Sequence, residues 1–146
     1  MASLFPLISA PADETAQAQS PTAAMYREVA WDHANNRPLW RGGSPVWVTG
    51  AEAVASWVAS TLHTERRSRD LFSADYGLEL RELAGRGYTE AVKQSEAIRY
   101  VRECLEINPY ITAVRQISVD FSGTLLTVQC IVDTIYGEVS VDVAGL

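Results

Sequence analysis

The two carboxylates whose setting comes nearest to that of a catalytic pair are Glu65 and Asp75. Hydrolysis of a glycosidic bond requires two acidic side chains about 5 to 9.5 Å apart, one on each side of the bond that breaks. Glu65, however, lies in a run, residues 64–70, that also contains three arginines. An ion pair with Arg66 or Arg69 is therefore the alternative role of Glu65. The sequence leaves the separation of the two carboxylates open.

Other reactive side chains are sparse. His33 and His63 stand 30 residues apart, without cysteines or paired carboxylates at the spacing of metal ligands. Cys104 and Cys130 fall on the apolar stripes of a predicted helix and strand, where buried thiols are usually inert. The sequence contains neither the Gly-x-Ser-x-Gly turn of serine hydrolases nor a glycine-rich phosphate loop. We expect no metal, no other cofactor and no catalytic residue outside the Glu65–Asp75 alternative.

The composition is that of one globular domain. The chain has 146 residues, 47% of them hydrophobic, and its 18 acidic and 12 basic residues give a net charge of −6. This charge argues against binding of nucleic acid through its phosphates. No apolar run approaches the roughly 20 residues that cross a bilayer, and the N-terminus does not resemble a secretory signal. With two cysteines, we expect folding in a reducing cytoplasm and no disulfide scaffold.

The first 25 residues differ in composition from the rest. A short apolar patch is followed by a stretch rich in Ala, Pro, Gln, Ser and Thr, which cannot build a core of its own. We interpret residues 1–25 as an extended arm that docks on a partner through Phe5 and Leu7. Residues 26–146 are then the folded domain. An arm that packs on its own domain is the alternative.

Helical periodicity is clearest in the middle of the chain. After short extended pieces at 27–32 and 46–48, Thr49-Gly50-Ala51-Glu52 fits a capping box with Thr49 as the N-cap. This predicts a helix that ends near residue 63 or 64. Asp75 is the expected N-cap of a short helix at 78–84. Residues 89–107 predict the longest helix, which Asn108-Pro109 ends.

The last third of the chain alternates apolar and polar residues with a period of two, as strands do. Turns at 122–123 and 136–137 divide it into a three-stranded antiparallel meander. With about three helices on its apolar side, the chain is predicted to be an α+β domain. The residues expected on the apolar face are Ile111, Ala113, Ile117, Val119, Phe121, Leu126, Val128, Cys130, Val132, Val139, Val141 and Val143.

An ordered series of motifs resembles the small baseplate-wedge proteins of contractile phage tails, in the branch found in defective prophages. The motifs are WVASTLHTER at 57–66, LFSADYGLEL at 71–80, SEAIR at 95–99, NPYI at 108–111 and TIYG at 134–137. The resemblance spans residues 30–143. The Glu–Arg motif of the family maps onto Glu65 and Arg66, and Ala74 stands where many relatives have proline.

The resemblance implies a structural subunit of the virion baseplate, present in six copies. Such a subunit binds the helical core of the wedge near the tail tube and starts the sheath, whose subunits add strands to its sheet edge. Its partners would be other wedge proteins, the sheath subunit and tail tube or hub proteins, with no nucleic acid and no membrane. The residues assigned to wedge-core docking are Glu65, Arg66, Arg69, Asp75 and Gly77.

The last strand is the edge to which strands could be added. An edge strand carries unpaired N–H and C=O groups, which suit pairing with another chain. We assign strand addition to Val139, Val141 and Val143, with Glu138, Ser140 and Asp142 on the solvent side. A protected edge is the alternative. Two other functions also stay open: a lysozyme-like enzyme that cleaves peptidoglycan with Glu65 and Asp75, and a free-standing adaptor.

Overall fold

The computed structural model describes residues 25–67, 73–80, 83, 86–123 and 125–146. The helices are α1 (Ala51–Leu62) and α2 (Glu90–Glu106), and the predicted α+β class is confirmed. The arm anchors Phe5 and Leu7 lie outside the described residues. The strands are β1 (Arg27–Val29), β2 (Trp31–Asp32), β3 (Arg37–Pro38), β4 (Trp40–Arg41), β5 (Ser44–Pro45), β6 (Trp47–Thr49), β7 (Ile111–Ser122), β8 (Leu125–Thr134) and β9 (Gly137–Ala144).

The C-terminal sheet is the predicted antiparallel meander, in the order β7–β8–β9. Alternate side chains of β8 and β9 are buried, because successive residues of a strand point to opposite faces. Helix α1 packs mainly against β9 and α2 mainly against β7. The core between sheet and helices includes Val54, Val58, Val101, Leu105, Val119, Val128, Val132 and Val141. No helix in the described part of the chain has the length and apolar character needed to cross a membrane.

Strand β7 departs from strict alternation at two irregularities in its pairing with β8. The register shifts between Ile111 and Ala113, and again between Arg115 and Ser118. The first shift leaves Ala113 only half-buried and buries Val114 in its place. Gln116, inside the second shift, has a φ of 49°. The extra residue there returns the odd-numbered side chains to the core face, as a β-bulge does.

Helix α1 begins differently from the prediction. Gly50, with a φ of 65°, is its N-cap, and no side chain caps the helix, so the capping box predicted for Thr49 is wrong. Thr49 is paired with Arg27 in the β1–β6 ladder and stays extended. Gly50 then makes the turn from strand to helix, since glycine adopts positive φ at little cost. Strand pairing thus overrides the local capping signal.

The other helix predictions have mixed outcomes. Helix α2 lies within one residue of both predicted ends. The third helix, predicted at 78–84, is described only in part. Leu83 is helical, but Leu78 lies in a β-bridge with Glu65, and Asp75 lies in a turn. The predicted start of that helix is wrong, because Leu78 takes a pairing partner that is distant in sequence.

Strands β1 to β6 form three short antiparallel pairs around one junction, where the β1–β6 pair closes off the hairpins β2–β3 and β4–β5; for brevity we call residues 27–49 the three-hairpin unit. Strand β1 pairs with β6, β2 with β3 and β4 with β5. At the junction the N–H of Ala30 donates to the carbonyl of Val46 (2.7 Å). The N–H of Val46 donates to Leu39 (3.0 Å), and the N–H of Leu39 donates to Ala30 (2.8 Å). This closed ring of hydrogen bonds fixes the three hairpins relative to one another.

Candidate functional site

The segment that follows α1 folds back on itself through a parallel bridge between Glu65 and Leu78. The N–H of Leu78 donates to the carbonyl of Thr64 (2.8 Å), and the N–H of Arg66 donates to the carbonyl of Leu78 (3.1 Å). The bridge brings Glu65 and Arg66 next to Gly77, although these residues are more than ten positions apart in the chain. We call residues 64–67 and 73–79 the docking segment; Arg69, also assigned to docking, lies outside the described residues.

Gly77 lies where the two halves of the docking segment, residues 64–67 and 73–79, pack against each other. Its φ is 99°, in the region that side chains disfavour. A Cβ at this position would lie 2.6 Å from the carbonyl oxygen of Thr64 and 2.9 Å from the amide nitrogen of Arg66. The two halves of the segment therefore approach each other at a distance that only glycine permits.

The Arg66 side chain ties the two halves together from within. Its Nε donates to the carbonyl of Gly77 (3.3 Å), and its Nη1 lies 3.6 Å from Oε2 of Glu79. Only 15% of the Arg66 side chain is exposed, against 25% for Glu79. Removing one partner of such a shielded charge pair lowers the stability of the fold, because the other charge is then left shielded and unpaired. Arg66 thus shapes the segment, whereas Glu65 and Asp75 are both exposed on its surface.

A cleft of about 700 Å³ lies between the end of α1, the docking segment and the far end of the sheet. Apolar side chains such as Leu62, Leu78 and Leu126 form much of its wall. Within the lining that the described residues provide, Glu65 is the one acidic side chain, and Asp75 does not take part. The structure therefore does not bring the two acids of the glycosidase alternative to opposite sides of this cleft.

His63 and the two thiols have structural roles. His63 Nδ1 lies 2.8 Å from the carbonyl oxygen of Ala59, and its ring lies against Trp31. Burial raises the pKa of the Cys104 thiol to about 12 and that of the Cys130 thiol to about 11, so both stay protonated at neutral pH. No cluster of three metal-ligating side chains forms within the described ranges.

The register of β9 decides which backbone groups its outer edge presents. The loop between β8 and β9 has two residues, so Thr134 and Gly137 exchange the first pair of hydrogen bonds. Beyond the far end of the ladder, Leu126 and Leu146 exchange a pair at 3.4 and 3.2 Å, one residue out of the β8–β9 register, and Gly145 just before Leu146 has a φ of 81°. Because bonded pairs alternate along an antiparallel ladder, counting from Gly137 gives Val139, Val141 and Val143 as the next residues that bond to β8.

The intervening residues of β9 turn their backbone groups away from β8. These are Glu138, Ser140 and Asp142, whose side chains are exposed. In the part of the chain that the structure describes, β9 pairs with β8 alone. The side chains of Val141 and Val143 are buried, at 1% and 3% exposure. The predicted valines therefore hold the strand on the core, and the alternate residues carry the outward N–H and C=O groups.

An ion-pair network crosses the solvent face of the sheet. Arg115 of β7 donates to both carboxylate oxygens of Asp133 on β8 (2.6 and 2.5 Å) and to Glu138 on β9 (2.6 Å). The hydrogen bonds from Arg115 hold the pKa of Asp133 below its usual value. The sequence pattern marks Arg115 only as an interruption in the apolar face. Its acidic partners become visible only once the strands are paired.

Comparison with known proteins adds two findings. The family model of contractile injection system sheath initiators matches residues 27–137. The phage-like element PBSX protein XkdS of Bacillus subtilis (strain 168) is 30% identical over 96 residues, which cover 65% of this chain and 68% of that relative. The family match includes the three-hairpin unit, both helices, the docking segment and strands β7 and β8, and it ends at the first residue of β9.

Proposed function

Since the chain belongs to the contractile injection system sheath initiator family, we propose that it is the baseplate subunit on which the tail sheath begins to assemble. A structural role in a contractile tail follows from the family itself. The proposed partners are other wedge proteins, the sheath subunit and tail tube or hub proteins, with six copies in each baseplate. In this proposal the chain folds in the host cytoplasm and ends in the virion.

The observation that carries the proposal is the outer edge of β9. Its outward backbone groups belong to Glu138, Ser140 and Asp142, and no other described strand pairs with them. A strand from a sheath subunit would add here by main-chain hydrogen bonds, which is the usual mode of recognition at a sheet edge. Val141 and Val143 support this role indirectly, because their burial keeps the edge fixed before the partner arrives.

The docking segment is the proposed contact with the wedge core. Glu65 and Asp75 are exposed and would meet the partner directly, whereas Arg66 and Gly77 would keep the segment in shape. Arg69 belongs to the same proposal by its position in the sequence. Two surfaces at different places in the fold would let one subunit join the wedge to the sheath.

The edge can be tested with a proline at Ser140. Its N–H faces away from β8, so Ser140→Pro removes an outward donor and leaves the internal ladder intact. We expect a folded protein with a melting temperature within about 4 °C of the unchanged chain. We also expect particles with a complete sheath to fall about tenfold, because the incoming strand loses a bond and meets the proline ring. Electron microscopy of tails measures this directly.

Two matched variants make the result interpretable. Ser140→Ala keeps the N–H and should give sheaths of normal number and length. Val141→Pro removes a donor to β8 at a buried position and should destabilise the isolated protein. Normal sheaths on folded Ser140→Pro protein would show that sheath subunits do not pair with this edge.

A further inference from the structure

The three-hairpin unit exposes two large aromatic side chains that the core does not use. Trp40 is 62% exposed and Trp47 is 50% exposed. Tryptophan is the residue whose burial contributes most to protein interfaces, together with tyrosine and arginine. The unit is therefore a candidate binding surface made of other residues than the docking segment and the edge of β9.

Arginines accompany these tryptophans. The guanidinium of Arg27 lies 4.3 Å from the ring centroid of Trp47, which is a cation–π contact. Arg41 follows Trp40 in β4 and is also exposed, but on the opposite face of that strand. Arg37 is 69% exposed and lies 3.9 Å from Asp32, so most of its side chain is in solvent. Tryptophan and arginine together are the composition typical of interface hot spots.

The charge of the unit differs from that of the whole chain. Three arginines against Glu28 and Asp32 give residues 27–49 a net charge of +1, whereas the whole chain has −6. Both acids accept hydrogen bonds from their neighbours. Glu28 accepts from the N–H of Val29 (3.1 Å) and from the hydroxyl of Tyr26 (3.0 Å), and Asp32 accepts bonds from Ala34 and Asn35. Glu28 and Asp32 are also half-buried, whereas all three arginines are exposed, so the charged side chains that the unit presents to solvent are mainly positive.

Hydrogen bonds tie the backbone of the unit together although it buries few side chains. Its residues form a closed ring of backbone bonds at the junction, and the β4–β5 turn uses Gly42 and Gly43 at φ values of 58° and 80°. Of residues 27–49, only Ala30 is buried. A backbone that is already ordered, with Trp40 and Trp47 exposed on it, lowers the entropic cost of binding a partner.

We propose that the three-hairpin unit binds an acidic segment of another tail protein, with Trp40 and Trp47 as anchors and Arg27 and Arg37 as partners of its carboxylates. Charge complementarity selects this occupant. Nucleic acid is disfavoured because the rest of the chain would repel its phosphates. The surface goes beyond the proposed function, since neither sheath addition nor wedge docking through residues 64–79 requires it.

Photo-cross-linking in assembled particles tests the proposal. Trp40 is replaced by p-benzoylphenylalanine, and Val92, which is 43% exposed on α2, is replaced in the same way as a control. Purified tails are irradiated, and the cross-linked peptides are identified by mass spectrometry. We expect position 40 to capture a segment of another tail protein in which acidic residues outnumber basic ones.

Every other outcome overturns the proposal. Cross-links from position 40 to residues 1–24 of the same chain, to a second copy, to nucleic acid, or to a neutral or basic segment would each assign a different occupant. Cross-link yields at position 40 no higher than those at position 92 would mean that nothing binds to the three-hairpin unit.

A charge reversal gives an independent measure. Arg27→Glu, beside the Trp47 anchor, should lower incorporation of the protein into particles about tenfold, because the partner's carboxylates are then repelled. Arg102→Glu, at an exposed position of α2, makes the same change in net charge and should leave incorporation unchanged. Equal incorporation of the two folded variants would contradict the charge assignment, whereas sheath length on incorporated subunits reports separately on β9.

Discussion

Gly77 shows how one residue without a side chain determines the form of the docking segment. Its positive φ and the 2.6 Å approach of a virtual Cβ to Thr64 leave no room for alanine. The motif LFSADYGLEL contains this glycine, but the sequence does not say which backbone it faces. Only the bridge between Glu65 and Leu78 supplies the reason for it.

We expect Gly77→Ala to destabilise the protein by about 1–3 kcal/mol from its backbone conformation alone, with the clash against Thr64 added to this. Urea denaturation followed by circular dichroism measures the free energy of unfolding. Gly87→Ala is the matched control, because a Cβ there meets no atom within 4 Å and needs no positive φ. A loss at position 77 no larger than that at position 87 would contradict the close approach described above.

The ion-pair network of Arg115 belongs to the scale of the sheet, because it joins one residue from each of three strands. The pKa of Asp133 is lowered in the folded protein, first by hydrogen bonding with Arg115 and then by its charge. A lowered pKa means that the unfolded chain binds protons more readily. The stabilising contribution is therefore present above the unfolded pKa of about 3.9, and it is lost as pH falls through the folded value.

Replacing Arg115 should remove this pH-dependent contribution. At pH 6 we expect Arg115→Gln to be less stable than the unchanged chain, and we expect the difference to shrink as pH falls from about 5 to about 2. Urea titrations at several pH values measure it, and added salt should also reduce the difference, since the pair is partly exposed. A stability difference that stays constant across this pH range would assign the effect of Arg115 to packing instead.

Strand register has a second consequence at this scale. The alternation of bonded pairs along β9 assigns the outward hydrogen-bonding groups to Glu138, Ser140 and Asp142. The sequence pattern instead draws attention to the valines between them. Both statements concern the same strand. Alternation in the sequence tells which side chains are buried, but the length of the β8–β9 loop tells which amides face the edge.

For the molecule as a whole, the family and the geometry favour assembly over catalysis. A cleft is present, but Glu65 is the one acidic side chain among its described lining residues. We expect the purified protein not to clear a suspension of bacterial cell walls in a turbidity assay, with a lysozyme as the positive control. Clearing that disappears in Glu65→Gln would establish the glycosidase alternative instead.

Much of the fold could be predicted because its signals are local. Side-chain alternation predicts the three strands of the meander, apolar spacing predicts α2 to within one residue at each end, and Asn108-Pro109 predicts where α2 stops. The motif series predicts the sheath-associated baseplate family, and the family match confirms it. The arm at residues 1–25 and its anchors Phe5 and Leu7 stay predictions.

The tertiary structure decided everything that depends on contacts between distant residues. It replaced the capping box of Thr49 by strand pairing with Arg27, and it joined Leu78 to Glu65 in place of a helix start. It also paired Arg66 with Glu79 and closed the ring of Ala30, Leu39 and Val46. Periodicity reports how one segment buries its own face, whereas the partners of a backbone amide or a charged side chain are fixed only when separate segments meet.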